Sequence, residues 1–210
     1  MADLEALKSA IEAGDRATAA AITRQAVDEE MDPRTVLDAM TAAMEIIGGR
    51  FACNEIYVPE MLISARAMKE ATAILEPVLT AAGIRPEHTA VIGTIKGDLH
   101  DIGKNLVGMM WKGANIEVVD LGTNVSPEQF VAGAREHGAT LVGVSALLTT
   151  TMVGMRDVVA AVRAAGLPDV KVFVGGAPVT AEYAASIGAD GYAPDAATAV
   201  DVAKAAVGMA

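Results

Sequence analysis

Nine consecutive residues, Gly97-Asp98-Leu99-His100-Asp101-Ile102-Gly103-Lys104-Asn105, carry one imidazole, two carboxylates and two glycines. Asp98 stands two positions before His100, near enough to accept a hydrogen bond from one ring nitrogen. The other nitrogen is then left as a directed lone pair, the usual arrangement behind a metal-bound histidine. Upstream, Thr89–Ile95 reads as a buried parallel strand; downstream, Leu106–Trp111 reads as the start of a helix. In open α/β sheets, ligands settle beyond the carboxyl ends of the strands, where this loop must lie.

Spacing removes the common glycine-loop chemistries. A phosphate loop needs four residues between its glycines and a Ser or Thr after its Lys, whereas five residues separate Gly97 from Gly103 and Asn105 follows Lys104. The dinucleotide pattern Gly-x-Gly-x-x-Gly is absent. A zinc site needs three or four protein ligands, and no second His or Cys stands near His100. Taken alone, His100 reads first as a satisfied surface or core histidine. It holds a metal only if something else, such as a macrocycle, supplies most of the coordination sphere.

Asp98-x-His100-x-x-Gly103 resembles the Asp-x-His-x-x-Gly motif of cobalamin-binding domains. The companion motifs of those domains, Ser-x-Leu and Gly-Gly, are matched in order by Ser145-Ala-Leu147 and Gly175-Gly176. With its helical first part, the chain is similar to the small corrinoid proteins of methyltransferase systems and to the cobalamin-binding region of methionine synthase. The resemblance implies a methyl group carried on cobalt between a substrate-specific methyltransferase and a second one, with a reductive activase as a further partner. His100 would be the metal ligand, and Asp98 would orient it. Thr151 stands where methionine synthases continue the Asp-His pair with a serine; it keeps the hydroxyl and adds a methyl. The expected cofactor site comprises Gly97, Asp98, Leu99, His100, Asp101, Ile102, Gly103, Ser145, Leu147, Thr149, Gly175, Gly176 and Tyr192. Plainer readings stand beside several of these. Asp101 can be a helix N-cap, Thr149 and Thr151 can cap the next helix, and Gly175-Gly176 can be a turn. Lys104 and Asn105 read as first-turn surface residues, and Gly143 and Ala146 as small residues leaving room for the cofactor's nucleotide tail.

The elements that must position these residues fall into two parts. Residues 1–86 read as four helices, with Gly14-Asp15 and Asp32-Pro33 as stop and start signals. The third helix is expected to end at Gly48-Gly49, and the fourth to run from Pro59 through Leu75. Tyr57, Met61, Ser64 and Met68 share one helical face. Tyr57-Val-Pro59-Glu60 resembles the segment with which the family's helical domain caps the upper corrin face, which adds Tyr57, Met61 and Met68 to the expected site. Residues 87–210 alternate short apolar runs with helical stretches. That indicates a flavodoxin- or Rossmann-like, doubly wound sheet of five parallel strands, with the loops after strands one and three meeting at the switch point.

Composition sets outer bounds. The net charge of −11 argues against nucleic acid or an anionic membrane as partner. The single cysteine, Cys53, reads as buried and unreactive, and no apolar run approaches the length of a membrane span. A cytoplasmic protein is expected. The rival reading is a cobalamin-dependent sensor, whose bundle would carry a tryptophan; the sole tryptophan, Trp111, lies outside the bundle. A mutase subunit would lack this bundle. A phosphoacceptor receiver needs an aspartate where Ser145 stands.

Overall fold

The computed structural model describes residues 1–209. The chain forms two compact units, Met1–Pro86 with Gly113–Asn115, and Glu87–Lys112 with Ile116–Ala210. The first holds α1 (Leu4–Glu12), α2 (Arg16–Asp28), α3 (Pro33–Ala52) and α4 (Val58–Ala81). Asp3, Asp15 and Asp32 cap the first three helices, each accepting a backbone N–H at 3.1 Å, which satisfies donors that a helix start leaves unpaired. Helix α1 packs on α2 and α3, and α4 packs on α2 and α3. Leu7, Ile11, Met40, Met44, Ile47, Met61 and Leu75 are buried.

Two helix ends differ from expectation. Helix α3 continues through the Gly48-Gly49 pair to Ala52, and α4 continues past Leu75, with Pro77 inside it, to Ala81. In α4, Leu79 beyond Pro77 is buried, and in α3 Phe51 beyond the glycine pair is half-buried, so packing overrides local propensity. Cys53 is exposed, contrary to expectation, because it caps α3 at its outer end.

The second unit holds β1 (Thr89–Thr94), α5 (Ile102–Gly113), β2 (Glu117–Asp120), α6 (Pro127–Glu136) and β3 (Leu141–Ser145). It continues with α7 (Thr149–Met152), α8 (Met155–Ala164), β4 (Lys171–Gly175), α9 (Ala181–Ser186), β5 (Gly191–Ala193) and α10 (Ala196–Val207). All pairings are parallel and the order is β2-β1-β3-β4-β5. The chain reverses direction across the sheet between β1 and β3, which is the switch point. One sheet face packs Val91, Val142, Val144, Val172 and Val174 against Phe130, Met155, Val158 and Val162. The helical stretch that sequence periodicity places over Met152–Ala165 is α8, which starts at Met155, and the short α7 turn, Thr149–Met152, precedes it.

Gly143 does not leave room for a ligand: a Cβ there would meet the Trp111 ring at 2.8 Å. The indole fills the space itself, with Nε1 donating to Ala199 O at 2.9 Å.

Candidate functional site

Register decides which loops meet. Thr94 pairs with Ser145, and Ser145 with Gly175, so the three sequence motifs leave the sheet side by side at its carboxyl edge. After β1 the chain turns sharply: Asp98 N donates to Ile95 O at 3.0 Å, and Gly97 takes φ +86°, a left-handed conformation that favours glycine. Three further bonds pin the loop. Thr94 Oγ1 donates to His100 O at 2.9 Å, Gly97 N donates to Asn124 Oδ1 at 2.8 Å, and Asn124 N donates to Asp98 O at 3.0 Å.

The Asp98 side chain is fully buried, with 0% exposure. Its Oδ1 accepts from His100 N at 3.1 Å and His100 Nδ1 at 2.8 Å. Its Oδ2 accepts from Leu147 N at 2.8 Å, Leu148 N at 3.3 Å and Thr151 Oγ1 at 2.8 Å. Burial is the largest single influence and pushes the carboxyl pKa up. The donors together outweigh it, Leu147 N–H foremost and then the His100 ring, His100 N–H and Thr151, and hold the group far below the usual aspartate range. An ionised carboxylate only accepts, so Nδ1 carries the imidazole proton and Nε2 carries the lone pair. The His100 side chain remains 54% exposed. Thr151, Asp98 and His100 are therefore one hydrogen-bonded chain that ends in a nitrogen donor. A Cβ placed on Gly97 would lie 3.6 Å from the Thr151 methyl, an ordinary contact, so the threonine fits without displacing the loop.

Around this nitrogen the surface is unusually apolar. Leu99 and Ile102 flank His100; Leu147, Leu148 and Val153 flank the residues that donate to Asp98; all five are exposed. Leu148 and Val153 were not expected. Gly103 sits in the first turn of α5, and a Cβ there would meet nothing within 4 Å. Helical glycine costs roughly 1 kcal/mol relative to alanine, and no packing within the protein demands it. Among the described residues no group of three or more His, Cys, Asp and Glu side chains could hold a metal ion. A metal at His100 must then bring its other ligands with it. A single imidazole donor within an apolar rim, beside a helix start with no side chain, fits a flat metallomacrocycle.

The other expected residues are placed as follows. Asp101 is exposed and precedes α5; its O accepts from Asn105 N at 2.8 Å and its Oδ2 from Asn105 Nδ2 at 3.1 Å. Thr149 is the exposed first residue of α7 rather than its cap, which is Leu148. Ser145 ends β3, and its O accepts from Ile95 N at 2.9 Å. Gly176 takes φ +124°, and a Cβ there would lie 1.9 Å from Ala146 O. Its lack of a side chain thus answers first to the neighbouring backbone. Tyr192 lies within β5, partly buried against the sheet core. In the helical unit, Met61 and Met68 are buried and Tyr57 is exposed. Lys104, read as a surface residue, is buried and ion-paired with Asp120 at 2.5 Å. A lysine in a first turn has no local signal for burial; its partner lies 16 positions away.

Two family models, each described as a B12 binding domain, match residues 88–201 and 3–76. The chain belongs to the B12-binding corrinoid proteins. It is 41% identical to a corrinoid protein of Desulfitobacterium hafniense strain Y51, over 99% of both chains. It is 36% identical to the dimethylamine corrinoid protein of Methanosarcina barkeri, covering 96% of this chain and 95% of that one. Among solved structures, a cobalamin-binding protein from Desulfitobacterium hafniense DCB-2 superposes with TM-score 0.83 at 28% identity, over 99% of this chain and 100% of that one. The methanol:cobalamin methyltransferase complex MtaBC from Methanosarcina barkeri gives TM-score 0.86 at 26% identity, over 98% of this chain and 79% of the matched chain. The cofactor of this corrinoid protein is a cobalamin or related corrinoid. None of its described helices is long and apolar enough to cross a membrane.

Proposed function

We propose that this corrinoid protein carries a methyl group between two methyltransferases, taking it from a substrate-specific enzyme and passing it to a second whose acceptor is a thiol or a reduced folate. A reductive activase restores the cofactor when it is lost to oxidation. The observation that carries this reading is the hydrogen-bonded chain from Thr151 through Asp98 to His100, ending in Nε2 within the apolar rim. Relatives whose names contain dimethylamine and trimethylamine, and a structural neighbour within a methanol:cobalamin methyltransferase complex, support small methylated compounds as the donor class. When bound, the corrinoid supplies a cobalt atom that accepts and gives up a methyl group.

His100 Nε2 would bind the cobalt, and Leu99, Ile102, Leu147, Leu148 and Val153 would exclude water around it. The proton on His100 Nδ1 is shared with Asp98. Shifting it toward the carboxylate makes Nε2 a stronger donor and shifting it back makes it weaker, while the ring stays in place. Thr151 and the Leu147 amide keep the carboxylate ionised and aimed.

The test is a visible spectrum of the cobalamin-loaded protein with reductant and a methylamine or methanol. Spectral conversion is expected only when the cognate methyltransferase is added, and back-conversion only with the second enzyme and its acceptor. Conversion without any partner, or none with the cognate enzyme, overturns the carrier reading.

A further inference from the structure

The loop after β2 is fastened to both sides of His100. Asp120, at the end of β2, receives Lys104 Nζ on Oδ2 at 2.5 Å and the Gly122 N–H on Oδ1 at 2.8 Å. Gly122 O accepts from Thr94 N at 2.9 Å, and the same Thr94 donates through Oγ1 to His100 O. Two residues on, Asn124 grips Gly97 through its side chain and Asp98 through its N–H. Lys104 itself lies four positions after His100 in the first turn of α5; its side chain is 1% exposed and also donates to Asn105 Oδ1 at 2.6 Å.

A buried ammonium must keep its counter-charge or pay heavily in desolvation. Lys104 therefore fixes the rotation of α5 about its axis relative to β2, and with it the direction in which the chain leaves His100. Their hydrogen bonds run to the backbone and side chains of the β1–α5 loop and of α5, and none is made to the His100 ring.

We propose that residues 120–124 form a strap, latched by the Lys104–Asp120 ion pair, that positions His100 for axial ligation. Asp120, Asn124 and Lys104 are positioning residues: the strap sets where Nε2 points, while Asp98 sets how strongly it donates. The inference rests on the reading of His100 as the lower ligand.

The full-length protein, labelled with nitrogen-15 histidine and loaded with cobalamin, is reduced to the Co(II) form for EPR, and the histidine-ligated fraction is measured beside bound cobalamin and thermal midpoint. Three variants are compared. Lys104→Met keeps the side-chain volume and leaves no buried charge. Asp120→Asn keeps an oxygen for Gly122 and removes the counter-charge. Asn124→Gly removes only the grip on Gly97, because Asn124 has φ +58°, a conformation glycine takes freely; being exposed, this variant folds even if the other two do not.

Each variant is expected to bind cobalamin at native stoichiometry while the ratio of histidine-ligated to unligated cofactor falls roughly two- to tenfold, less than for a direct partner of the ligand. Native ligation in Asn124→Gly and in whichever of the other variants fold, whatever their thermal midpoints, reduces the strap to a structural brace and overturns the proposal. Absence of histidine coupling in the unsubstituted protein is a different result: it overturns the ligand reading, and this inference with it.

Discussion

Asp98 and Lys104, six residues apart, are the two charged side chains buried among the described residues, and they are held in opposite ways. Asp98 is surrounded by N–H and O–H donors from two loops, with the half-exposed His100 ring as one of them. Lys104 is neutralised by a carboxylate that is itself 45% exposed. The difference is one of partners that can leave. Asp120 can turn to water if Lys104 is lost, whereas the amides of Leu147 and Leu148 are fixed in the backbone and cannot. The first arrangement stores interaction energy in the ligand loop; the second transmits position to it.

The largest effect expected is that of Asp98→Ala. It strips the acceptor from three amides, the His100 ring N–H and a hydroxyl at once, and each buried donor left unpaired costs about 1–3 kcal/mol. A loss of roughly 3 kcal/mol or more is expected, lowering the thermal midpoint by about 6–12 °C. A drop below about 2 °C by calorimetry would mean that water replaces the carboxylate freely, and the contrast with Lys104 would disappear.

Asp98→Asn comes next, because its amide group must point N–H at existing donors; about 2 kcal/mol is expected at neutral pH. The comparison sharpens with acid. Folding lowers the Asp98 pKa below its ordinary value of 3.8. Its contribution is therefore complete above that value and is lost as pH falls through the lower, folded value. The gap between the urea midpoints of native and Asp98→Asn protein should narrow steadily as pH falls below 3.8; parallel curves would deny the carboxylate its role.

Thr151→Val should cost about 1–2 kcal/mol, since it removes one donor to a charge, and Thr151→Ser should restore most of it. Equal losses for both would place the effect in the methyl contact rather than in the hydrogen bond. Lys104→Met is the smallest: Asp120 rehydrates, and roughly 1 kcal/mol or less is expected. A loss as large as that of Asp98→Ala would show that the two burials are alike after all.

The sequence pattern makes most of this legible. Uninterrupted apolar runs announce β1, β3 and β4, and the two-residue spacing of Asp98 and His100 announces their hydrogen bond. The approach of Thr151 follows from parallel order once the strands are known, though it lies 53 positions from Asp98. Lys104 and Asn124 were hidden, because each gains its meaning from a loop 16 or more residues distant and carries no apolar context of its own. The separate turn α7 was hidden too: Thr149 and Thr151, read as possible caps of the next helix, form a short helix of their own before α8, and that turn brings Thr151 to Asp98. Two glycines answer to the protein's own packing, Gly143 contrary to expectation and Gly176 in line with its plainer reading as a turn. Gly143 and Gly176 make way for this protein's own Trp111 ring and Ala146 carbonyl. Gly103 differs from both: an added Cβ there would meet nothing within 4 Å.

The exposed rim of Leu99, Ile102, Leu147, Leu148 and Val153 also bears on how copies of the chain meet in solution. With the cofactor absent, these side chains face water and attract any equivalent patch, while a net charge of −11 keeps the molecules apart. Salt weakens the second force far more than the first, since the screening length shrinks from about 10 Å at 0.1 M to about 3 Å at 1 M. The colloidal behaviour of the empty protein is therefore set by ionic strength, and light scattering should show it clustering as salt rises. If cobalamin binds over His100 as proposed, loading would cover the attractive patch and leave the charge, and the same salt series should then leave it dispersed.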